Sequence, residues 1–292
     1  MKPDHILITG DVTTSGDSIE YEQVTDILRS LDFYDKDRLT VIPGNHDLYP
    51  CMYSHISDIE DELGSIRRVP EFLKKVYRIY NELSNYTYDD YSNALKKFNT
   101  YFGALYSGSH SLGNDDNGGF PYIKILNDKV ALICIDSNYV SPVASLRGLV
   151  SLGTMGNLFT RNWDTLLYKI SDNPLCSNGW VDTQLLDKAL NAKVIKNKHK
   201  FVLMHHYLYS QTIVDEYMGY PFSEVMAILE SSRKKIISTC IKSKVDIVLH
   251  GHWHITEEYW LKNHSLHILN GGGFWDGGYN IIEVDKTIRV NA

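Results

Sequence analysis

Five side chains able to hold a divalent metal stand just after short apolar runs, although they are scattered along a chain of 292 residues. Asp11 follows Ile6-Leu7-Ile8, Asn45 follows Val41-Ile42, His205 follows Phe201 to Met204, and His252 and His254 follow Ile247 to Leu249. A carboxylate has two oxygens and can bridge two ions. Asn45 offers a neutral carbonyl oxygen, and the three histidines offer imidazole nitrogens. A mixed N/O set without sulfur favours manganese, iron or zinc over soft-metal chemistry. Each fragment is weak alone, because Gly-Asp at a strand end is common and a pair such as His205-His206 is more often structural than ligating. Gly251-His252-Trp253-His254 is the strongest fragment. Together, in order, they point to one metal site assembled from distant segments.

Such a site needs strands that deliver these residues to one edge. An apolar strand that stops at Asp, Asn or His places side chains at the carboxyl edge of an α/β sheet, where ligand sites gather. Ile6 to Thr9 reads as a strand, Glu20 to Leu31 as a helix spaced through Val24, Ile27, Leu28 and Leu31, and Leu39 to Ile42 as a second strand. That is a βαβ unit with parallel strands. Phe201 to Met204, Glu224 to Ile241 and Val245 to Leu249 repeat the strand-helix-strand order. Pro121 to Leu126 and Val130 to Ile135 flank Asn127-Asp128-Lys129 as a hairpin, and Val181 to Leu190 reads as a helix that Asp182 helps cap. Glu257 to Leu261, Ser265 to Leu269, Tyr279 to Val284 and Thr287 to Val290 alternate strands with turns.

Residues 1–292 read as one domain, with a helical insertion at about 50–120 and a long loop region at about 138–180. The insertion contains helical spacing from Pro70 to Tyr80 and through Tyr91, Leu95, Phe98, Phe102 and Leu105. Its tyrosines are either a packing face or the wall of a substrate cleft. Ser107 to Gly119 reads as loop. Asp136-Ser137-Asn138 either approaches a substrate or simply turns the chain at a strand end.

Composition narrows the partners. The formal charge of −7 argues against tracking long nucleic acid, which needs a basic stripe to displace counterions. Cys51, Cys134, Cys176 and Cys240 are far apart and form no zinc or disulfide pattern, so a reducing, cytoplasmic setting is expected. No apolar run is long enough to span a bilayer. A lipid substrate would still allow peripheral membrane association.

The ordered blocks Gly10-Asp11, Gly44-Asn45-His46-Asp47, His205 and Gly251-His252-Trp253-His254 resemble the calcineurin-like metallophosphoesterases. That family includes purple acid phosphatases and bacterial class III cyclic-nucleotide phosphodiesterases. The resemblance runs from Asp11 to His254 and implies an α/β fold: a four-layer α/β/β/α sandwich of two mixed sheets. It also implies a centre of two divalent ions (Mn2+, Fe2+/Fe3+ or Zn2+) at the strand ends. Carried over, Asp11 would bridge the ions, Asn45, His205 and His252 would complete one shell, and His254 would serve the other. His46 would stand by the leaving group with Asp47 orienting it, and His206 would lie behind the ligands. Tyr207 stands where the family usually has Pro, which bears on the adjacent substrate loop.

The family's first block, Asp-x-His, has no counterpart, and only nine residues precede Gly10. The expectation is that Met1 is an internal start; the alternative is a natural variant with one weak or empty metal site. The resemblance implies hydrolysis of a small phosphoester by a hydroxide held on the metals. A phosphodiester comes first, with a cyclic nucleotide as one form of it. A pyrophosphate bond in a UDP-2,3-diacylglucosamine type of lipid precursor is the second reading, with the apolar stretch Gly148 to Phe159 and the insertion covering an acyl chain. A catalytically impaired interaction scaffold is the third.

Overall fold

Alternation of buried residues along β5 (Val130–Cys134) explains the architecture. Val130, Leu132 and Cys134 join one apolar core, while Ala131 and Ile133, with Ile135 beyond the strand, join another. A strand buried on both faces must be covered by a layer on each side. The structure, a computed structural model, describes residues 3–48, 88–114, 118–138, 179–208, 230–252, 256–261, 266–273, 278–284 and 287–291. Within them lies a seven-stranded mixed sheet in the order β3-β4-β5-β6-β7-β9-β8. Its strands are β3 (His110–Ser111), β4 (Tyr122–Ile125), β5, β6 (His199–Leu203), β7 (Ile247–His250), β8 (Thr256–Leu261) and β9 (Leu266–Gly271). β5, β6, β7 and β9 run parallel, and the edges are antiparallel.

One face of this sheet is covered by helices α4 (Thr183–Leu190) and α5 (Glu230–Lys242), through Leu186, Leu190, Ile236 and Cys240. Asp182 caps α4 as expected, accepting from the backbone N–H of Gln184 at 2.8 Å and Leu185 at 3.1 Å. The other face packs against two short sheets. β1 (Ile6–Ile8) pairs in parallel with β2 (Leu39–Val41), and β10 (Ile281–Val284) pairs antiparallel with β11 (Ile288–Asn291). Helices α1 (Ser18–Ser30), α2 (Asn45–Leu48) and α3 (Tyr88–Phe102) share the same core through Tyr21, Leu28, Leu48, Leu95, Phe98 and Phe102. This is the α/β/β/α arrangement that the family resemblance implies.

Two details differ from expectation. In α1 the buried stripe is Tyr21, Thr25 and Leu28 with Val24 half-buried, whereas Ile27 and Leu31 are exposed. At 3.6 residues per turn, positions 21, 24, 25 and 28 share one face, and Tyr21 rather than Ile27 anchors it. The stretch read as loop at 107–119 contains β3, two residues added to the sheet edge. Of the insertion, α3 and the 3-10 turn Gly103–Tyr106 are described, while 49–87 lie outside the described residues, as do 139–178 of the long loop region and the stretch 148–159. Among the described residues, no helix is long and apolar enough to cross a membrane.

Candidate metal centre

The turns that end β1 and β7 adopt backbone conformations that cost energy. Gly10 has φ 102°, Asp11 φ 53° and His252 φ 72°. The left-handed region costs a non-glycine residue about 1–2 kcal/mol, so two such residues facing one another mark a place where side-chain direction overrides backbone comfort. Close packing explains the glycines of the motifs. A Cβ at Gly44 would collide with the Asp11 carboxylate, and one at Gly10 would collide with the His205 ring. Gly10-Asp11 and Gly44-Asn45 are therefore halves of one joint, in which each glycine makes room for a polar side chain of another segment.

At this joint His205 Nε2 lies 3.3 Å from Asp11 Oδ2, 2.8 Å from Asn45 Oδ1 and 3.1 Å from His252 Nδ1. Asp11, His205 and His252 form a partial metal-binding site. The other nitrogen of His205 sits 2.8 Å from the backbone oxygen of Thr9. A carbonyl only accepts, so Nδ1 carries the hydrogen and, in the neutral ring, Nε2 presents a lone pair. That lone pair faces a carboxylate oxygen, an amide oxygen and another imidazole nitrogen. A cation among them, either a proton or a metal ion, would satisfy such a concentration of acceptors. Ligand atoms about 2.0–2.2 Å from one ion are themselves about 3 Å apart, which matches the spacing. The donor set thus fits a divalent ion of the borderline kind.

The electrostatics agree. Burial alone would raise the Asp11 carboxyl and lower His205, but their attraction and hydrogen bond win, holding Asp11 well below the usual carboxylate range and His205 above its ordinary value. His252 is pushed well below by burial and then by His206 and His205, so it is a neutral ring with one nitrogen lone pair to give. A proton and a metal ion compete for the same positions.

Each remaining site residue has a definite place. The His46 backbone N–H donates to Asp11 Oδ1 at 3.0 Å, and its ring Nδ1 is 3.1 Å from the Thr14 oxygen. His46 is half-buried beside the joint. Asp47 is buried, and its carboxylate accepts from Thr13 N at 3.0 Å, Thr13 Oγ1 at 2.7 Å, Gly44 N at 2.8 Å and Val12 N at 3.4 Å. These bonds fasten the β1 turn to the β2 turn. Burial, followed by the charge of Asp11, raises Asp47 to about 6. His206 is buried, and its ring centroid lies 4.8 Å from that of His252. His254 lies outside the described residues. The centre also leans on the Thr9 carbonyl, Thr13 and Ser137, which motif reading did not single out as site residues. For Ser137 the only signal was its place in a polar triplet after β5.

Residues 1–256 match the Calcineurin-like phosphoesterase family. No curated protein matches the chain. Among solved structures, the 2.05 Å crystal structure described as a "Putative 5'-Nucleotidase from Staphylococcus aureus in complex with alpha-ketoglutarate" aligns with 98% of this chain at 14% identity. The chain spans 50% of that structure's length, with a TM-score of 0.35, too loose a superposition to transfer anything to this chain. The family match over most of the chain, with its motifs converging on Asp11, His205 and His252, leads to one conclusion: the chain belongs to the calcineurin-like phosphoesterases, a family of metal-dependent phosphoric ester hydrolases.

Proposed function

We propose that this chain hydrolyses a small phosphodiester, with a cyclic nucleotide as the first substrate to try, using metal ions held at the strand ends. The observation that carries the proposal is the convergence of Asp11 Oδ2, Asn45 Oδ1 and His252 Nδ1 on His205 Nε2. Asp11, Asn45, His205 and His252 would hold one ion, and Asp11 with His254 would contribute to a second, weaker site. When bound, divalent ions supply positive charge that polarises a phosphoryl group and lowers the pKa of water.

The chain's own residues do the rest. Thr9 fixes the His205 ring, so that the lone pair of Nε2 faces the ion site. The His46 backbone N–H holds Asp11 Oδ1, and the Thr14 carbonyl accepts from Nδ1 of the His46 ring and orients it; in the acid role a doubly protonated ring would give its Nε2 proton to the departing oxygen. Because the contact to Asp11 is a backbone contact, His46→Ala should keep Mn2+ affinity while turnover falls roughly 100-fold or more, the range of general acid catalysis. The loss should be larger for alkyl than for p-nitrophenyl leaving groups. Equal losses for both esters would remove His46 from the acid role.

A compact spacing of motifs like that of the class III phosphodiesterases supports a diester over a monoester. Buried free thiols at Cys134 and Cys240 support a reducing, cytoplasmic setting. The decisive measurement is Mn2+-dependent hydrolysis of bis-p-nitrophenyl phosphate, followed by cyclic AMP and a UDP-diacylglucosamine substrate side by side. Activity only on the latter would move the assignment to a lipid-linked pyrophosphate. A folded, Mn2+-loaded chain inert towards all three would leave the scaffold reading.

A further inference from the structure

β5 and β6 are parallel neighbours, and their ladder continues one bond past β5, where Ile135 N donates to the Leu203 oxygen at 2.9 Å. The chain then leaves the sheet as Asp136-Ser137-Asn138, all three buried. Ser137 Oγ meets three groups of the facing turn. It accepts from His205 N at 3.2 Å and from His206 N at 3.1 Å, and it lies 2.9 Å from His206 Nδ1. A hydroxyl has two lone pairs and one hydrogen. With both lone pairs taken by backbone N–H groups, its hydrogen goes to His206 Nδ1. That nitrogen therefore carries the lone pair, and His206 Nε2 carries the ring hydrogen.

We propose that Ser137 is a positioning residue of the metal centre: it sets the turn that aims His205 at the ion and locks His206 in the Nε2–H form. The consequence for His206 is chemical. Both its nitrogens are committed, one as an acceptor and one as an N–H, so it cannot ligate and instead offers a fixed donor beside His252. The adjacent His205 and His206 are thus divided into ligand and donor by one hydroxyl. The next residue extends the brace: Asn138 Nδ2 donates to the Pro43 oxygen at 3.0 Å, immediately before Gly44-Asn45. The end of β5, which contributes no ligand, holds two of the four segments that do. Small displacements of an ion's ligands are costly, and groups that orient ligands change metal affinity by roughly 10–100-fold when removed.

The inference rests on the metal-site reading above, and its test is separable from hydrolysis. Two-dimensional 1H–15N spectra of the imidazoles should show His206 of the wild-type chain as the neutral Nε2–H tautomer. Mn2+ titration followed by electron paramagnetic resonance should show Ser137→Ala binding roughly tenfold or more weakly than wild type. Leu190→Ala, a cavity variant in the core beneath α4, should lose thermal stability while keeping wild-type Mn2+ affinity. An Nδ1–H tautomer at His206, or a folded Ser137→Ala with undiminished affinity, would overturn the proposal; if that variant does not fold, the wild-type imidazole spectrum decides alone. A wild-type chain that binds no Mn2+ yet shows the Nε2–H tautomer would overturn the metal reading, and with it the role of Ser137 toward an ion, while the contact itself stood.

Discussion

The two halves of the metal centre are built to different standards. His205 and His252 follow β6 and β7, central strands of a seven-stranded sheet whose last residues are fully buried. Asp11 and Asn45 follow β1 and β2, three residues each, and β1 is only half-buried. The imidazole half inherits its rigidity from sheet pairing on both sides. The carboxylate half hangs on a two-stranded pair and must be held by side chains. This difference explains why Asp47 spends its carboxylate on Thr13, Gly44 and Val12, and why Gly10 and Gly44 pack against His205 and Asp11. A site spanning two sheets is precise only if the weaker one is fastened to the stronger.

The sharpest way to test the comparison is to remove the one charged ligand of the weak half. Asp11→Asn keeps the shape of the side chain and the contact with His46 N–H, but withdraws the negative charge that opposes His205. Mn2+ affinity by titration should fall by at least about 100-fold, beyond the range for groups that merely orient ligands. Retention of two equivalents of metal by elemental analysis would contradict the role given to Asp11.

The fastening itself comes next. Asp47→Ala leaves the N–H groups of Thr13 and Gly44 and the Thr13 hydroxyl without their acceptor in a buried turn. The expected loss is about 2–4 kcal/mol in denaturant unfolding, with Asp47→Asn losing less than half as much. Relief of the repulsion between Asp47 and Asp11 offsets part of the loss in both variants. Hydrogen exchange should quicken at β1 and β2 while β6 and β7 stay protected. Uniform acceleration across both sheets would mean that the halves open together and the contrast is only geometric.

The same contrast governs how much of the molecule is legible in its amino-acid sequence. The candidate ligands were legible because their types occur in order at strand ends, and Asp11, Asn45, His205 and His252 all reach one locus. The sandwich was legible only through the family that the ordered motifs resemble; the strand-helix-strand units by themselves imply parallel strands and no more. What holds the centre was not legible. Ser137 is a common residue in a common turn, and its value lies in three partners some seventy residues away. Sheet membership was equally hidden. The carboxyl-terminal strands look alike in sequence, yet β8 and β9 extend the large sheet while β10 and β11 form their own hairpin. In α1 the alternative stripes through Tyr21 or Ile27 are both apolar, and only the opposing layer, with Tyr101 stacked 4.9 Å from Tyr21, selects the first.

One more tie joins the two sheets, and it should have the smallest effect on the centre. Lys124 on β4 is buried, and its ammonium donates to the Leu39 oxygen of β2 at 2.7 Å and to the Leu105 oxygen at 3.0 Å. Burial lowers it from 10.5 to about 8. Among the groups around it, burial pushes the Cys134 thiol up to about 12 and Tyr106 well above its ordinary value, and lowers His5 to about 4. Between the two lysine values the unfolded chain binds a proton that the folded chain has released, so stability must rise with pH across that window. Below pH 8 the ammonium is charged in both states and the cost of burying it is constant. Lys124→Met keeps the length of the side chain but cannot titrate. The unfolding free energy of wild type relative to Lys124→Met should therefore climb by about 1–3 kcal/mol between pH 8 and 10.5, allowing for partial screening by solvent. Mn2+ affinity at neutral pH should not move, because neither carbonyl belongs to a turn that carries a ligand. A flat difference across the window would mean that the amine reaches water freely and that the small sheet is held by Asp47 and packing without it.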